Sequence, residues 1–301
     1  MPKRLSEYTL NDFLHLRPLT QAIKTRRYRR MDEKYMRLRA VSENEAELIR
    51  AIAGRNMVAT VAFEDPEGLE MHLALARRYV AHDVYVVIDN SRNAADRTSN
   101  AAIAGAAGAL YIQLPDNPWT RRNDSRSHGI ALNWMWHNVI RPGRPRAFGF
   151  VDDDMFATAP VDPFAPLENR RFYGDLRWAG ERWFLWAGYC FYSFESVCNE
   201  PLDFGLDWFV GLDTGGGNWD VLYRKTDPAS LPDRPILTIP ALPGCTAAQA
   251  SFERRCEWLH EVGWGNDPAF RRQKRSALVH LLAPHLPPEM AERLTAAHPL
   301  A

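Results

Sequence analysis

The sequence predicts an α/β fold: a largely parallel central sheet with helices on both faces. Three observations predict it. Continuously apolar runs of strand length recur at residues 57–63, 84–88, 109–114 and 147–151. Strands that are apolar on both sides belong in sheets covered on both faces. Between those runs lie stretches of helical character: Leu69, Leu73, Ala76 and Val80 share a helical spacing, residues 96–107 are rich in Ala, and residues 127–140 follow the same pattern. Strand–helix alternation repeated in this way is the signature of a parallel sheet, whose ligands bind at the carboxyl ends of its strands.

The flanks read differently. Residues up to about 55 look helical and charged, with Ser42 and Glu45 spaced as a capping box that opens a short helix through Ile52. Beyond Pro160, residues 171–178 and 183–194 form an expected strand pair around a turn at 179–182. An acidic, glycine-rich stretch (203–220), a strand near 235–239 and a Pro-punctuated helical tail follow. Without repeats or a linker, the expected organisation is a basic helical extension (1–55), a main domain (56–265) and a helical C-terminal extension (266–301).

Composition narrows the function classes. Lys plus Arg equals Asp plus Glu at 37 each in 301 residues, so there is no overall bias toward nucleic acid. Residues 24–39 are locally basic, with eight Lys or Arg against Asp32 and Glu33. Such a run suits phosphates, anionic lipid or an acidic partner, or is simply a solvated helix face. Cys190, Cys198, Cys245 and Cys256 have no CxxC spacing and read as core residues or free thiols of a reducing compartment. With no apolar leader after Met1 and no spanning run, a cytoplasmic location is expected, with peripheral contact at the inner membrane through the basic segment.

Asp152, Asp153 and Asp154 directly follow the apolar run 147–151. In extended chain Asp152 and Asp154 point the same way and Asp153 the other. Carboxylates so placed repel unless a cation lies between them, and Mg²⁺ or Mn²⁺ held by Asp152 and Asp154 would bridge a diphosphate. The competing reading is a polar turn. Gly215-Gly216-Gly217 fits neither the Walker nor the dinucleotide pattern, so any phosphate needs another source of neutralisation.

A βαβαβ start, Asp89 at the end of the second strand, a helix before a DxD-bearing strand and a Trp-rich second half together resemble a nucleotide-sugar glycosyltransferase of the GT-A fold, family 2-like. The resemblance covers about Met57 to Gly265. It implies a nucleotide-diphosphate sugar, most simply UDP-linked, as donor, and a glycan, lipid-linked or protein acceptor. Asp89 would then bind the nucleoside, Asp152 the donor ribose or sugar, and Asp154 the metal. Late in such enzymes a His closes the metal or diphosphate site, and His260 has that position. The helix preceding the DxD strand borders the donor. Asp124, Ser127 and His128 at its start, with Arg121 and Arg122, are therefore donor-site candidates, although Ser127 or Asp124 also suits a helix cap. Asn133 is a donor-side residue or an ordinary helix residue. The family's Glu-Asp or Asp-Glu base pair is missing, which leaves Asp213 first and Asp207 second as general base, or a retaining mechanism with no dedicated base. Trp178, Trp183 and Trp186 are candidates for stacking on an acceptor sugar, or are core residues. Alternative readings are a nucleotidyltransferase, a dehalogenase-like phosphatase, or a non-catalytic carbohydrate-binding protein. The acidic 63–68 loop disfavours the first, and the late position of the triplet disfavours the second.

Overall fold

The computed structural model describes residues 5–207, 210–240, 251–263 and 267–300. Thr9 and Asp12 cap each other to open α1 (Leu10–Leu14), and the long α2 (Arg17–Met36) follows. Next comes α3 (Glu45–Ile52), preceded by Asn44. The expected box between Ser42 and Glu45 does not form. Glu45 instead pairs with Arg39 at 2.8 Å and accepts from the backbone N–H of Ala40, while the Ser42 hydroxyl donates to Asn44. The carboxylate that a capping box would turn back to the Ser42 N–H is taken by the Arg39 guanidinium and the Ala40 N–H.

The alternation expected from sequence is present as β1 (Asn56–Ala62), α4 (Pro66–Tyr79), β2 (Val84–Asp89), α5 (Ala94–Ala107), β3 (Leu110–Gln113), α6 (Asp124–Met135) and β4 (Ala147–Val151). The capping residues are Asp65 for α4, Asn93 for α5 and Asn123 for α6. Neither Ser127 nor Asp124 caps α6, because both lie inside its first turn. A π-helical turn (Trp136–Ile140) and the short α7 (Arg141–Gly143) prolong α6 toward β4.

The strand pair is β6 (Phe172–Ala179) and β7 (Arg182–Ser193), with α8 (Phe194–Val197) behind it. The main sheet runs β3-β2-β1-β4-β7-β6. β3, β2, β1 and β4 are mutually parallel, and β7 and β6 are antiparallel additions. The chain steps outward from β1 through β2 to β3, then returns to place β4 on the other side of β1. That reversal opens a crevice beyond the carboxyl ends of β1 and β4. Gly149 in β4 admits β7, since a Cβ there would sit 2.0 Å from the Phe191 ring.

The strand expected near 235–239 is present as part of a second sheet, whose other three strands the sequence does not signal. β5 (Met155–Ala157), β10 (Trp258–Glu261), β9 (Ser251–Arg255) and β8 (Ile236–Pro240) pair antiparallel in that order. α9 (Pro268–Leu282) and α10 (Pro288–Ala297) share an apolar cluster with it, built on Phe156, Phe252, Leu259 and Leu278. The two sheets meet through Arg255, whose guanidinium binds Asp175 of β6 at 2.6 Å while Arg234 binds the other carboxylate oxygen at 2.6 Å.

Both Arg255 and Asp175 are 1% exposed; without Arg255, Asp175 keeps only Arg234, and Glu253 loses that guanidinium. Arg255→Ala is expected to lower the unfolding free energy by about 3 kcal/mol in urea titration. Arg293→Ala, which breaks the solvent-facing pair with Glu70, is expected to change it by less than about 1 kcal/mol.

Candidate active site

Beyond the carboxyl ends of β1 and β4 lies a cleft of about 250 Å³. Val61 and Phe63 line it from β1, Asn90 from the end of β2, and Asp152, Asp153 and Asp154 from the end of β4. Asp124, Ser125, Ser127 and His128 come from the first turns of α6, Trp186 from β7, and Asp213 with Thr214 from the glycine-rich stretch. The acidic triplet therefore occupies the reversal point of the sheet, although its backbone turns rather than continuing as strand. The Met155 N–H donates to the Asp152 carbonyl at 3.1 Å, so the polar-turn reading is correct for the backbone. All three aspartates line the cleft; Asp152 and Asp154 face His128 and His260, while Asp153 turns to the Phe63 N–H at the end of β1.

The main chain of this turn is pinned from several elements. Asp152 N–H donates to the Gly188 carbonyl of β7, and the Asp154 carbonyl accepts from Glu261 N–H of β10. The Met155 carbonyl lies 2.6 Å from His72 Nδ1 of α4, whose ring burial pushes its pKa down to about 4. His72 is thus neutral and donates to that carbonyl. Phe63 N–H donates to Asp153 at 3.3 Å, joining the ends of β1 and β4.

The electrostatics are crowded. Burial, opposed by His128 and reinforced by Asp154, raises the Asp152 carboxyl to about 6. Burial and the carboxylates of Asp154, Asp65 and Asp152 hold Asp153 well above the usual carboxylate range. His128 Nε2 lies 3.2 Å from Asp152. His260 Nε2 lies 3.6 Å from Asp154, and its Nδ1 lies 3.3 Å from Glu253. Although burial favours the neutral ring, Asp154 and Glu253 raise His260 to about 9. When protonated, His260 sets positive charge against Asp154. Asp154 Oδ1 is buried and accepts no hydrogen bond among the described residues.

The remaining candidates divide. Asp213 is exposed at the mouth of the cleft and accepts from Thr214 N–H at 2.8 Å. Ser127 is inside, but its hydroxyl accepts from Asn90 at 2.9 Å and from Asn117. Asp89 faces inward, 1% exposed: Oδ1 accepts from Ser91 N–H, and Oδ2 accepts from Tyr111 and Asn100. Its carboxylate is consumed by the loop it organises, so the expected nucleoside contact is not available to it. Asp207 lines a different groove of about 570 Å³ between α2 and residues 201–221, which removes it as general base for this cleft. Arg121 and Arg122 are exposed in the turn before α6 and do not line the cleft. Asn133 binds Asp203 and the Phe204 N–H, a structural role. Trp183 is core, packed on Tyr223; Trp178 is exposed at the β6–β7 hairpin; Trp186 faces the cleft with the His260 ring 4.9 Å away. Cys190, Cys198 and Cys256 are free thiols, whereas Cys245, Trp208 and residues 264–266 lie outside the described residues.

Sequence reasoning missed Glu253, Asn90, Ser125 and Thr214. Glu253 reaches the site because it faces His260 directly across the β9–β10 pair, a register that no local pattern signals. Asn90 carries a usable signal, since it follows Asp89 at a strand's carboxyl end.

No protein-family model matches the chain, and no curated protein matches it. Among solved structures it is similar to the galactosyltransferase LgtC in complex with donor and acceptor sugar analogs, with 13% identity, TM-score 0.32, and coverage of 46% of this chain and 58% of that one. It is also similar to the bifunctional glycosyltransferase WbbM in its apo form, with 12% identity, TM-score 0.32, and coverage of 48% of this chain and 32% of that one. The matched part thus spans less than two thirds of either protein, and similarity of this degree does not by itself assign a function.

Two tests follow from the geometry. A Cβ on Gly188 would lie 2.2 Å from the Trp186 ring and 2.5 Å from Asp152 Oδ2. Gly188→Ala is expected to cost about 1–3 kcal/mol of stability and to displace both side chains, visible in a crystal structure of the variant. For His260 the folded pKa of about 9 exceeds the ordinary value, so its stabilisation is complete below about pH 6.5 and fades as pH rises through 9. The stability gap between the native chain and His260→Asn, read by chemical denaturation, is therefore expected to shrink from mildly acidic to alkaline pH.

Proposed function

We propose that this chain is a metal-dependent glycosyltransferase that takes a nucleotide-diphosphate sugar, most simply a UDP-sugar, into the cleft beyond β1 and β4. One observation carries the reading: five carboxylates, those of Asp124, Asp152, Asp153, Asp154 and Asp213, line the cleft, and no Lys or Arg does among the described residues. A cleft of that charge repels a diphosphate unless a cation enters with it.

The residues fit a divalent ion. Their donors are hard oxygens, Asp154 Oδ1 is a buried acceptor without a partner, and the raised Asp152 and Asp153 mark charge that an ion would relieve. No group of three or more His, Cys, Asp or Glu side chains converges as a finished cage among the described residues. That suits Mg²⁺ or Mn²⁺ completed by phosphate oxygens and water. Asp154 and Asp152 would hold the ion, with His260 joining only after losing its proton. Bound there, the metal would supply positive charge to the departing diphosphate.

The chain's own groups do the rest. The first turn of α6 presents backbone N–H groups to donor oxygens, and His128 beside Asp152 adds a hydrogen-bonding group. Trp186 offers a ring face to a sugar. Asp213, solvated at the mouth, would accept the proton of an acceptor hydroxyl as that oxygen bonds to the anomeric carbon and the bond from that carbon to the diphosphate oxygen breaks. A glycan or lipid-linked acceptor fits an opening of this kind.

Sugar-nucleotide hydrolysis and transfer, assayed with and without Mn²⁺, test the reading; turnover undiminished by EDTA would count against it. Asp154→Ala is expected to abolish turnover without loss of fold, and Asp213→Asn to lower kcat by about 10²–10⁴-fold with a small change in donor KM. Wild-type-like activity of Asp154→Ala would remove the triplet from the chemistry.

A further inference from the structure

Large apolar side chains are concentrated on the surface of the first two helices. Leu10, Phe13, Leu14, Leu16, Leu19 and Ile23 are 45–79% exposed, within one short stretch of chain. Immediately beyond them Arg26, Arg27, Arg30, Lys34 and Arg37 border a shallow groove that also includes Ile23, Met31 and one acid, Glu33. None of these five cations forms an ion pair among the described residues. The spacing of Leu19, Ile23, Arg26, Arg30 and Lys34 follows steps of three and four, so they lie on one face of α2, with Leu16 and Arg37 at its two ends. The opposite side of α2 is anchored: Tyr35 is buried, Tyr28 packs edge-on to Trp119 at 4.8 Å, and Asp32 accepts from Trp119 Nε1.

We propose that this face is a peripheral docking surface for an anionic phospholipid bilayer, with the apolar half entering the interface and the basic half meeting the headgroups. The match is one of charge and polarity together: unpaired cations alone would suit any polyanion, but nucleic acid gives the adjoining leucines nothing to enter. A second copy of the chain is a poor occupant. Parallel pairing sets cation against cation, and antiparallel pairing buries leucines against arginines. No helix among the described residues is long and apolar enough to cross a membrane, so the contact is peripheral. The inference does not depend on the sugar-transfer reading, since vesicle binding is measured without turnover.

The test is co-sedimentation of the intact chain with vesicles of phosphatidylcholine alone and of phosphatidylcholine mixed with phosphatidylglycerol, at low and high salt. Binding is expected to the mixed vesicles only and to weaken with salt. Arg27→Gln/Arg30→Gln/Lys34→Gln is expected to weaken it by roughly a hundredfold, at about fivefold per charge. Leu14→Ser/Leu19→Ser/Ile23→Ser should weaken it at least about tenfold. Far-UV circular dichroism reports whether each variant folds, and the salt and lipid dependence of the unaltered chain decides the matter even where one does not. Absence of binding to mixed vesicles overturns the proposal. So does equal binding to short duplex DNA that the leucine variant leaves unchanged, or a stable dimer that the leucine variant dissociates without any vesicle binding.

Discussion

Three adjacent carboxylates are held at the reversal point of a parallel sheet, where Asp154 raises the cost of ionising Asp152, and the two together raise that of Asp153. The surrounding structure is arranged to tolerate this. β7 fixes the turn from one side through Gly188, β10 from the other through Glu261, and α4 reaches it through His72. Two histidines then set positive or polar nitrogen against the outer carboxylates, His128 on Asp152 and His260 on Asp154. Without that framework the segment would spread its charges into water, as an ordinary loop does.

The second sheet has its place in this arrangement. Its shortest strand, β5, begins directly after the triplet, and His260 pairs with Met155 on one side and Glu253 on the other. Glu253 is in turn held by Arg255, which is anchored to Asp175 in the main sheet. A continuous chain of ion pairs thus links the cleft to the seam between the two sheets. The imidazolium is as much part of that seam as of the cleft, which explains why it stays charged despite burial.

Much of the architecture was legible because it rests on local pattern. β1, β2, β3 and β4 are apolar runs, and the β6–β7 hairpin is announced by its turn at Gly180. That the triplet and His128 share one cleft was legible because the ends of parallel strands and the helix before β4 converge by topology; Asp213 joins them from the glycine-rich stretch. What stayed hidden depends on long-range register or on competition between partners. Glu253 acquires its role only through β9–β10 pairing, and β5 is too short to carry a signal of its own. Glu45 is drawn out of the expected capping box by an arginine contact that the sequence does not rank. Asp207 and Asp213 stand close together in sequence and look equivalent there, yet the bridge between Asp207 and Leu212 turns them toward different grooves.

Asp89 bears on how loss-of-function variants of this protein are to be interpreted. Its carboxylate ties Ser91, Asn100 and Tyr111 together, and Asn90 beside it reaches Ser127 on the cleft wall. Removing that carboxylate would unmoor the wall itself: the Ser91 N–H would lose its acceptor, and Asn100 and Tyr111 would keep only their longer contacts to Ser91 Oγ and the Arg97 carbonyl. An inactive variant at this position would therefore report a collapsed support rather than a missing grip on the nucleotide.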